Sequence, residues 1–178
     1  LYGSAFRAPS FGELGLQNNP AALGNADLNP ETIDTYEVAF SYRPRSYLQT
    51  NLNLFTYQAQ DLIEFVPSAV GNKASNARDQ EGYGFDWEVN WELNKQWRLN
   101  SSLAWQQSED SDTGNAIADA PGRQFMLNSY WKVAPQWLLR SQLNWVGDRV
   151  RGAGDTRDSI GDYSLVDFTL KRQNIYKN

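Results

Sequence analysis

Between Tyr83 and Leu93 every second residue is large and apolar: Tyr83, Phe85, Trp87, Val89, Trp91 and Leu93. The residues between them are Gly84, Asp86, Glu88, Asn90 and Glu92. After Asn94, Lys95 and Gln96 the alternation resumes, with Trp97, Leu99, Leu103 and Trp105 set against Arg98, Asn100, Ser102 and Gln106. A period of two belongs to extended backbone, whose successive side chains point to opposite faces; no helical period recurs along the chain. The same reading predicts about eight strands, at 1–7, 33–43, 47–60, 82–93, 97–107, 123–133, 137–147 and 162–172. Strands of about eleven residues are roughly twice the usual length in soluble proteins and suit a tilted membrane crossing.

The connections alternate in length. Short turns are expected at 44–46 (PRS), 94–96 (NKQ) and 134–136 (APQ), and long polar loops at 8–32, 61–81, 108–122 and 148–161. Short turns at one end and long loops at the other describe an outer-membrane barrel. The expected fold is therefore all-β: an antiparallel up-and-down transmembrane barrel, of which this chain supplies about eight strands. Its apolar face would carry Val38, Phe40, Phe85, Val89, Leu99, Leu103, Phe125, Leu127, Leu139, Leu143, Val166, Phe168 and Leu170. Its polar face would carry Thr35, Glu37, Ser41, Asp86, Glu88, Arg98, Asn100, Gln124, Asn128, Lys132, Arg140 and Gln142. Glu92 and Arg98 flank the second turn symmetrically and are expected to face each other across it. The third strand breaks the pattern, since Phe55 and Tyr57 oppose Leu48, Leu52 and Leu54; a bulge near Asn53–Leu54 would reconcile them. Tyr163 and Leu165 raise the same difficulty in the last strand.

Aromatic residues gather beside the short turns: Tyr42 and Tyr47, Trp91 and Trp97, Trp131 and Trp137. Trp105 lies eight residues beyond Trp97, and Trp145 eight beyond Trp137. Eight residues of strand span about 26 Å, or roughly 20 Å along the axis of a tilted barrel. Indole and phenol rings, apolar in body and polar at the tip, favour membrane–water boundaries, so these eight are expected as two interfacial girdles. Stacking on sugars is the alternative use of such rings.

Composition narrows the classes. The chain has 178 residues and a net charge of −5, so no basic field draws nucleic acid. Mean hydropathy is −0.64, which an alternating barrel wall tolerates. With no Cys and no His, this chain alone builds neither a disulfide, a thiolate metal site nor a Ser-His-Asp triad. Asp86 and Glu88 share one strand face with no apolar pocket to separate their pKa values, which argues against a glycosidase pair. No enzymatic activity and no cofactor is expected. The opening LYGSAFRAP reads as the middle of a strand, so both ends are expected to be cuts from a longer protein.

Three stretches carry a resemblance. AFRAPSFGEL (5–14) is followed by GNADLNPETIDTYEVAF (24–40), and GDTRDSIGDYSLVDFTLKRQN occupies 154–174. The chain resembles the TonB-dependent receptors of the Gram-negative outer membrane. There a strand ending in an F-R-A-P-type motif (here Phe6, Arg7, Ala8 and Pro9) enters an extracellular loop. A G-N-x-x-L-x-P-E motif (Gly24, Asn25, Leu28, Pro30 and Glu31) then leads into the next strand. The last stretch is similar to the run-up to the final hairpin of the family, which is expected beyond Asn178.

The resemblance implies a 22-stranded barrel with a plugged lumen, of which the plug and the final hairpin lie outside this chain. It implies multi-pass location in the outer membrane and contact with lipid and lipopolysaccharide. It also implies coupling to the TonB energy complex through the plug, and active uptake of a scarce ligand. A ferric siderophore is the expected ligand, with cobalamin, haem, copper or oligosaccharide as alternatives on the same scaffold. A passive porin and a soluble glycan-binding β-sandwich are the alternatives outside the family.

Candidate sites lie in the loops. Arg7 would pair with Glu31 and Glu37 at the base of the first loop, or else touch the ligand. Gln17, Asn18, Asn19 and Asn25 offer amide donors and acceptors suited to a polyoxygenated ligand. With Pro20, the two neighbouring asparagines also suit plain turn chemistry. Glu109, Asp110 and Asp112 faintly suggest a calcium loop but lack its full ligand series, and a solvated acidic loop is the simpler account. Arg149, Arg151 and Arg157 could meet lipopolysaccharide phosphates, or pair internally with Asp155 and Asp158.

Overall fold

The computed structural model describes residues 1–19, 21–69, 71–118, 120–152 and 155–173, so Pro20 lies outside the described residues. Strands β1 (Tyr2–Arg7), β3 (Glu31–Arg45), β4 (Leu48–Ser68), β5 (Gly71–Asn94), β6 (Trp97–Asp110), β7 (Pro121–Ala134), β8 (Trp137–Arg149) and β9 (Tyr163–Arg172) follow one another across one sheet. A helix α1 (Phe11–Gly15) and a short strand β2 (Ala22–Leu23) lie between β1 and β3. The sheet is antiparallel along this path and open, matching an unclosed portion of an up-and-down barrel. β2 pairs with β5 in parallel, through Ala22–Asn72 and Leu23–Lys73.

Two compact units divide the chain. The first holds Leu1–Glu37, Phe55–Tyr83 and Gln107–Ile117; the second holds Val38–Leu54, Gly84–Gln106 and the remainder from Ala118.

In the second unit the ladder sorts side chains by face. Leu103 pairs with Phe125, Phe125 with Trp145, Leu127 with Leu143, and Leu139 with Leu170. On the opposite face Asn100 pairs with Asn128 and Asn128 with Gln142. A one-residue slip would exchange the two sets, so this register follows from the alternation. Trp97 and Trp131 are directly paired, with ring centroids 5.8 Å apart, and Phe85 lies 5.9 Å from Trp105. The short turns are tied to the following strand. The carbonyls of Tyr47, Gln96 and Gln136 accept from the backbone N–H groups of Glu92, Lys132 and Gln173 at 2.7–2.8 Å.

Several expectations need correction. The stretch 61–81, expected as a loop, is strand: β4 and β5 continue through most of it. Its apolar residues fall at both parities (Leu62 and Val66 against Ile63 and Phe65) and polar residues dominate from Asn72 onward, so no single apolar stripe marks it. Polar bonds between the two strands hold it instead. Asp61 N–H donates to Asp79 Oδ1 (2.9 Å), Asn76 Nδ2 donates to the Asp61 carbonyl (2.6 Å), and Arg78 pairs with Glu64. The expected bulge at Asn53–Leu54 is also unnecessary. Asn51 reaches Ser41 and Glu88 on the polar face; Tyr57, of the same parity, reaches Gln80 and Ser108. Phe55 and Tyr57 are simply aromatics on the polar face. Tyr163 and Leu165 likewise pair with Val146 and Asn144, on the face of Gln142. Arg98 makes no ion pair with Glu92; its guanidinium lies 5.0 Å over the Tyr130 ring.

Gly82 allows close approach in the first unit. A Cβ there would fall 2.6 Å from Tyr57 Cε1 and 2.9 Å from the Gln107 carbonyl oxygen. Only a hydrogen fits between that ring and the neighbouring backbone.

Candidate functional site

The first loop is folded rather than loose, and its base is a carboxylate–guanidinium cluster. Ser10 caps α1: its Oγ accepts from Glu13 N–H (3.3 Å), and Glu13 Oε2 accepts from Ser10 N–H (2.6 Å). This reciprocal arrangement is a capping box. The same Glu13 carboxylate receives Arg7, with Nη1 to Oε2 and Nη2 to Oε1 both at 3.0 Å. Arg7 also donates through Nε to Glu31 Oε2 (2.5 Å) and through Nη2 to Glu31 Oε1 (2.6 Å). Arg7 thus bridges two carboxylates, its planar fork matching each. Glu31 accepts a further bond from Ile63 N–H of β4 (2.8 Å), which links the cluster to the long hairpin.

Glu37 does not join this cluster. It lies six residues farther along β3 than Glu31, about 20 Å of extended chain, and its backbone N–H donates to the Leu1 carbonyl (2.9 Å). Glu13 takes the place expected for it. Its signal was present in the sequence as Ser10-x-x-Glu13, the capping-box spacing. The Arg7 guanidinium, with the Ser10 backbone N–H, holds the Glu13 carboxyl down at about 2.

A second fastening comes from Asn76 of β5. Its side chain accepts from Asn29 N–H (2.9 Å) and donates to the Asn29 carbonyl (3.1 Å), as one residue of a ladder would. With the β2–β5 pairing, the loop is held to the hairpin at 22–23 and again at 29. Nothing in a single sequence marks Asn76 for this task.

The amides of the loop shape its backbone. Asn18 has φ 57°, the left-handed conformation that asparagine tolerates. Asn19 Oδ1 accepts from the N–H groups of Ala21 (2.8 Å) and Ala22 (3.3 Å), and Asn25 Oδ1 accepts from Asp27 N–H (3.2 Å). Asn25 N–H and Gly24 N–H donate to the carbonyls of Glu13 and Leu16 at 2.7 and 2.8 Å. The side chain of Gln17 is exposed.

Two other loop clusters are self-satisfied. Asp110 Oδ1 accepts from Asp112 N–H, Thr113 N–H and Thr113 Oγ1, an Asx-type turn. No group of three metal-ligating side chains occurs among the described residues. Asp155 pairs with Arg157 (2.6 Å) and Arg151 (3.4 Å), and Arg157 chiefly holds its carboxyl at about 2. Arg151 donates to the carbonyl of Asp158 rather than to its carboxylate, and Arg149 donates to the Gly161 carbonyl and covers the Tyr163 ring.

In the second unit the polar face forms a concavity of about 610 Å³, lined by Ser41, Asn51, Asp86, Glu88 and Ser102 among others. The interfacial candidates Tyr42, Tyr47, Trp91, Trp97, Trp131 and Trp137 are exposed, and Trp105 and Trp145 are half-buried. Trp97 Nε1–H donates to Ser129 Oγ (2.9 Å) and the Trp137 ring carries the Arg172 guanidinium.

An antiparallel wall that is apolar on one face and polar on the other, with short turns alternating with long connections, is the wall of a β-barrel. The family model described as TonB dependent receptor-like, beta-barrel, matches residues 2–177, and the chain belongs to that family. The matched family is one of receptor-type β-barrels.

Solved structures agree on the fold. The ferric enterobactin receptor PfeA of Pseudomonas aeruginosa, solved as a mutant in complex with enterobactin, is 18% identical with a TM-score of 0.80, over 99% of this chain and 30% of that one. The copper transporter OprC is 19% identical with a TM-score of 0.77, over 99% and 28%. The ferripyoverdine receptor of the outer membrane of Pseudomonas aeruginosa, bound to ferripyoverdine, is 19% identical with a TM-score of 0.70, over 97% and 24%. This chain therefore spans less than a third of the length of each. A comparison by sequence with curated proteins gives no match.

Proposed function

We propose that this chain is wall and extracellular loop of an outer-membrane receptor that takes up a scarce ligand by energy-coupled transport, and that the ligand is a ferric siderophore. The observation that carries the reading is the family match across residues 2–177. The iron-chelate reading is supported by the likeness to PfeA and to the ferripyoverdine receptor. In this reading the apolar face meets lipid, the aromatics beside the turns lie at the membrane–water boundaries, and the polar face meets the lumen.

The first loop then contributes to ligand capture. Arg7 is committed to two carboxylates and serves as an anchor, while Gln17, Asn18, Asn19 and Asn25 line the tip. The amide NH₂ groups of Asn19 and Asn25 take no part in the turns that their oxygens make, and they suit the oxygen-rich surface of a metal chelate. Energy would enter through the plug and the TonB complex, and no covalent chemistry is required of this wall.

The likeness to OprC favours copper as the second reading. Growth of a deletion strain on a panel of ferric siderophores, with copper limitation and cobalamin dependence as parallel arms, tests both. Lost growth on one or more iron chelates supports the siderophore reading. Normal growth on every chelate with a copper-limited defect overturns it.

A further inference from the structure

Charge is divided unevenly between the two compact units. In the first unit, Leu1–Glu37, Phe55–Tyr83 and Gln107–Ile117, three bases stand against twelve acids, a net charge of −9. The whole chain carries −5, so the remainder is positive by 4. The two arginines of the first unit are already engaged: Arg7 is held by Glu13 and Glu31, and Arg78 by Glu64.

Half of the acids are not engaged. Among the described residues the carboxylates of Asp27, Glu37, Asp61, Glu81, Glu109 and Asp112 enter no hydrogen bond and no ion pair. Asp27 and Asp112 are exposed. Glu81 and Glu109 are half-buried and line a cavity of about 200 Å³ with Gln58, Tyr83 and Gln107, and its lining includes no Lys or Arg.

We infer that the ligand received by this unit is positively charged: a ferric chelate that carries a free ammonium group, of the tris-hydroxamate class and not the tris-catecholate class. This charge preference rests on the reading of the first unit as ligand-facing loops of a receptor for iron chelates. Three catecholates leave a ferric complex triply negative. Three hydroxamates cancel the charge of the ion, so a pendant ammonium makes the complex a cation. A surface of strong negative charge raises the local concentration and association rate of a cation and lowers those of an anion. The guanidinium groups that would receive an anion are spent on Glu13, Glu31 and Glu64, whereas carboxylates that would receive an ammonium stand open. At 18% identity the likeness to PfeA is one of fold and does not set the charge of the ligand.

The test uses the full-length receptor in outer-membrane vesicles and a matched pair of probes: a ferric tris-hydroxamate with a free ammonium, and the same chelate N-acetylated. Association is followed in stopped flow by the quenching of tryptophan fluorescence. At low salt the ammonium form should associate about tenfold faster, and the two rates should converge as added salt shortens the screening length. A ferric tris-catecholate should associate more slowly than both. Asp27→Lys/Asp112→Lys reverses two exposed, unpartnered carboxylates and should remove most of the difference. Equal rates for the matched pair at low salt, or fastest association by the tris-catecholate, overturns the inference. Binding of none of the three removes the iron-chelate reading instead. A nitroxide on Gln17→Cys then decides the matter of charge without any chelate. Anionic chromium oxalate should relax the label severalfold less than a neutral nickel complex, and equal relaxation overturns the inference.

Discussion

Arg7 and Glu31 stand opposite each other in the β1–β3 ladder, and the guanidinium of one donates to both oxygens of the other. The same guanidinium also holds Glu13, so one side chain joins strand, helix and returning chain. Arg7→Ala should loosen the loop 8–32 while leaving the rest of the wall intact. The side chain is 47% exposed, so the local cost is set at about 1 kcal/mol, below the range for buried charged bonds. Hydrogen exchange of the loop amides in the full-length receptor measures it, with faster exchange confined to 8–32. Arg7→Lys should recover only part, since an ammonium cannot form the paired fork.

The clasp should fail in acid. Glu13 holds its proton more weakly in the folded loop, at about 2, than its ordinary value of 4.5. Its contribution is therefore complete above about pH 4.5 and is lost as pH falls toward 2. Limited proteolysis of the loop, followed from pH 7 downward with an acid-tolerant protease, should show constant protection to about pH 4.5 and rising cleavage below. Glu13→Gln should remove part of this acid dependence, and the remainder belongs to Glu31, whose carboxyl Arg7 also holds below its ordinary value.

Gly82→Ala should destabilise the long hairpin. The added methyl meets the Tyr57 ring at 2.6 Å and a backbone oxygen at 2.9 Å, and the latter cannot swing aside. Overpacking of this kind costs about 1–3 kcal/mol. Urea unfolding in bilayers reads the loss, and the Tyr57→Ala/Gly82→Ala pair should recover part of it by removing the ring.

Val89→Arg tests which face meets lipid. Val89 shares the parity of Phe85 and Trp87 on β5, and a charge near the midplane of a barrel costs about 2–4 kcal/mol. Assembly into vesicles should fall accordingly, whereas Asn90→Arg on the opposite face should assemble normally. Equal assembly of both would remove the lipid assignment.

Trp97→Ala should weaken the wall through its lost contact with Trp131, by about 0.5–1.5 kcal/mol beyond the area term, and leave ligand affinity unchanged. Stability in bilayers and a titration with ferric siderophore separate the two effects. Reduced affinity at normal stability would make the indole a ligand platform.

The wall was legible because alternation and turn chemistry agree there. Trp97, Leu99 and Leu103 could only share a face, and that face fixes the register with Leu127 and Phe125. Legibility ended where the chain stops sorting apolar from polar. The hairpin continues through Asp61, Asn76 and Asp79 on backbone ladders and side-chain amides, which leave no hydropathy signal. In the loop, Arg7 and Glu31 were visible as complementary charges, but the choice of Glu13 over Glu37 depended on a five-residue helix. The parallel contact of β2 with β5 joins residues some fifty positions apart through backbone alone, and side-chain chemistry carries no trace of it.

The first loop is fastened at Arg7, at Ala22–Leu23 and at Asn29, and Gln17 and Asn18 lie between these points. On the proposed reading, recognition and attachment fall to different residues. A foreign sequence spliced between Leu16 and Ala22 would then inherit a ready-made mount, with the barrel beneath it unchanged.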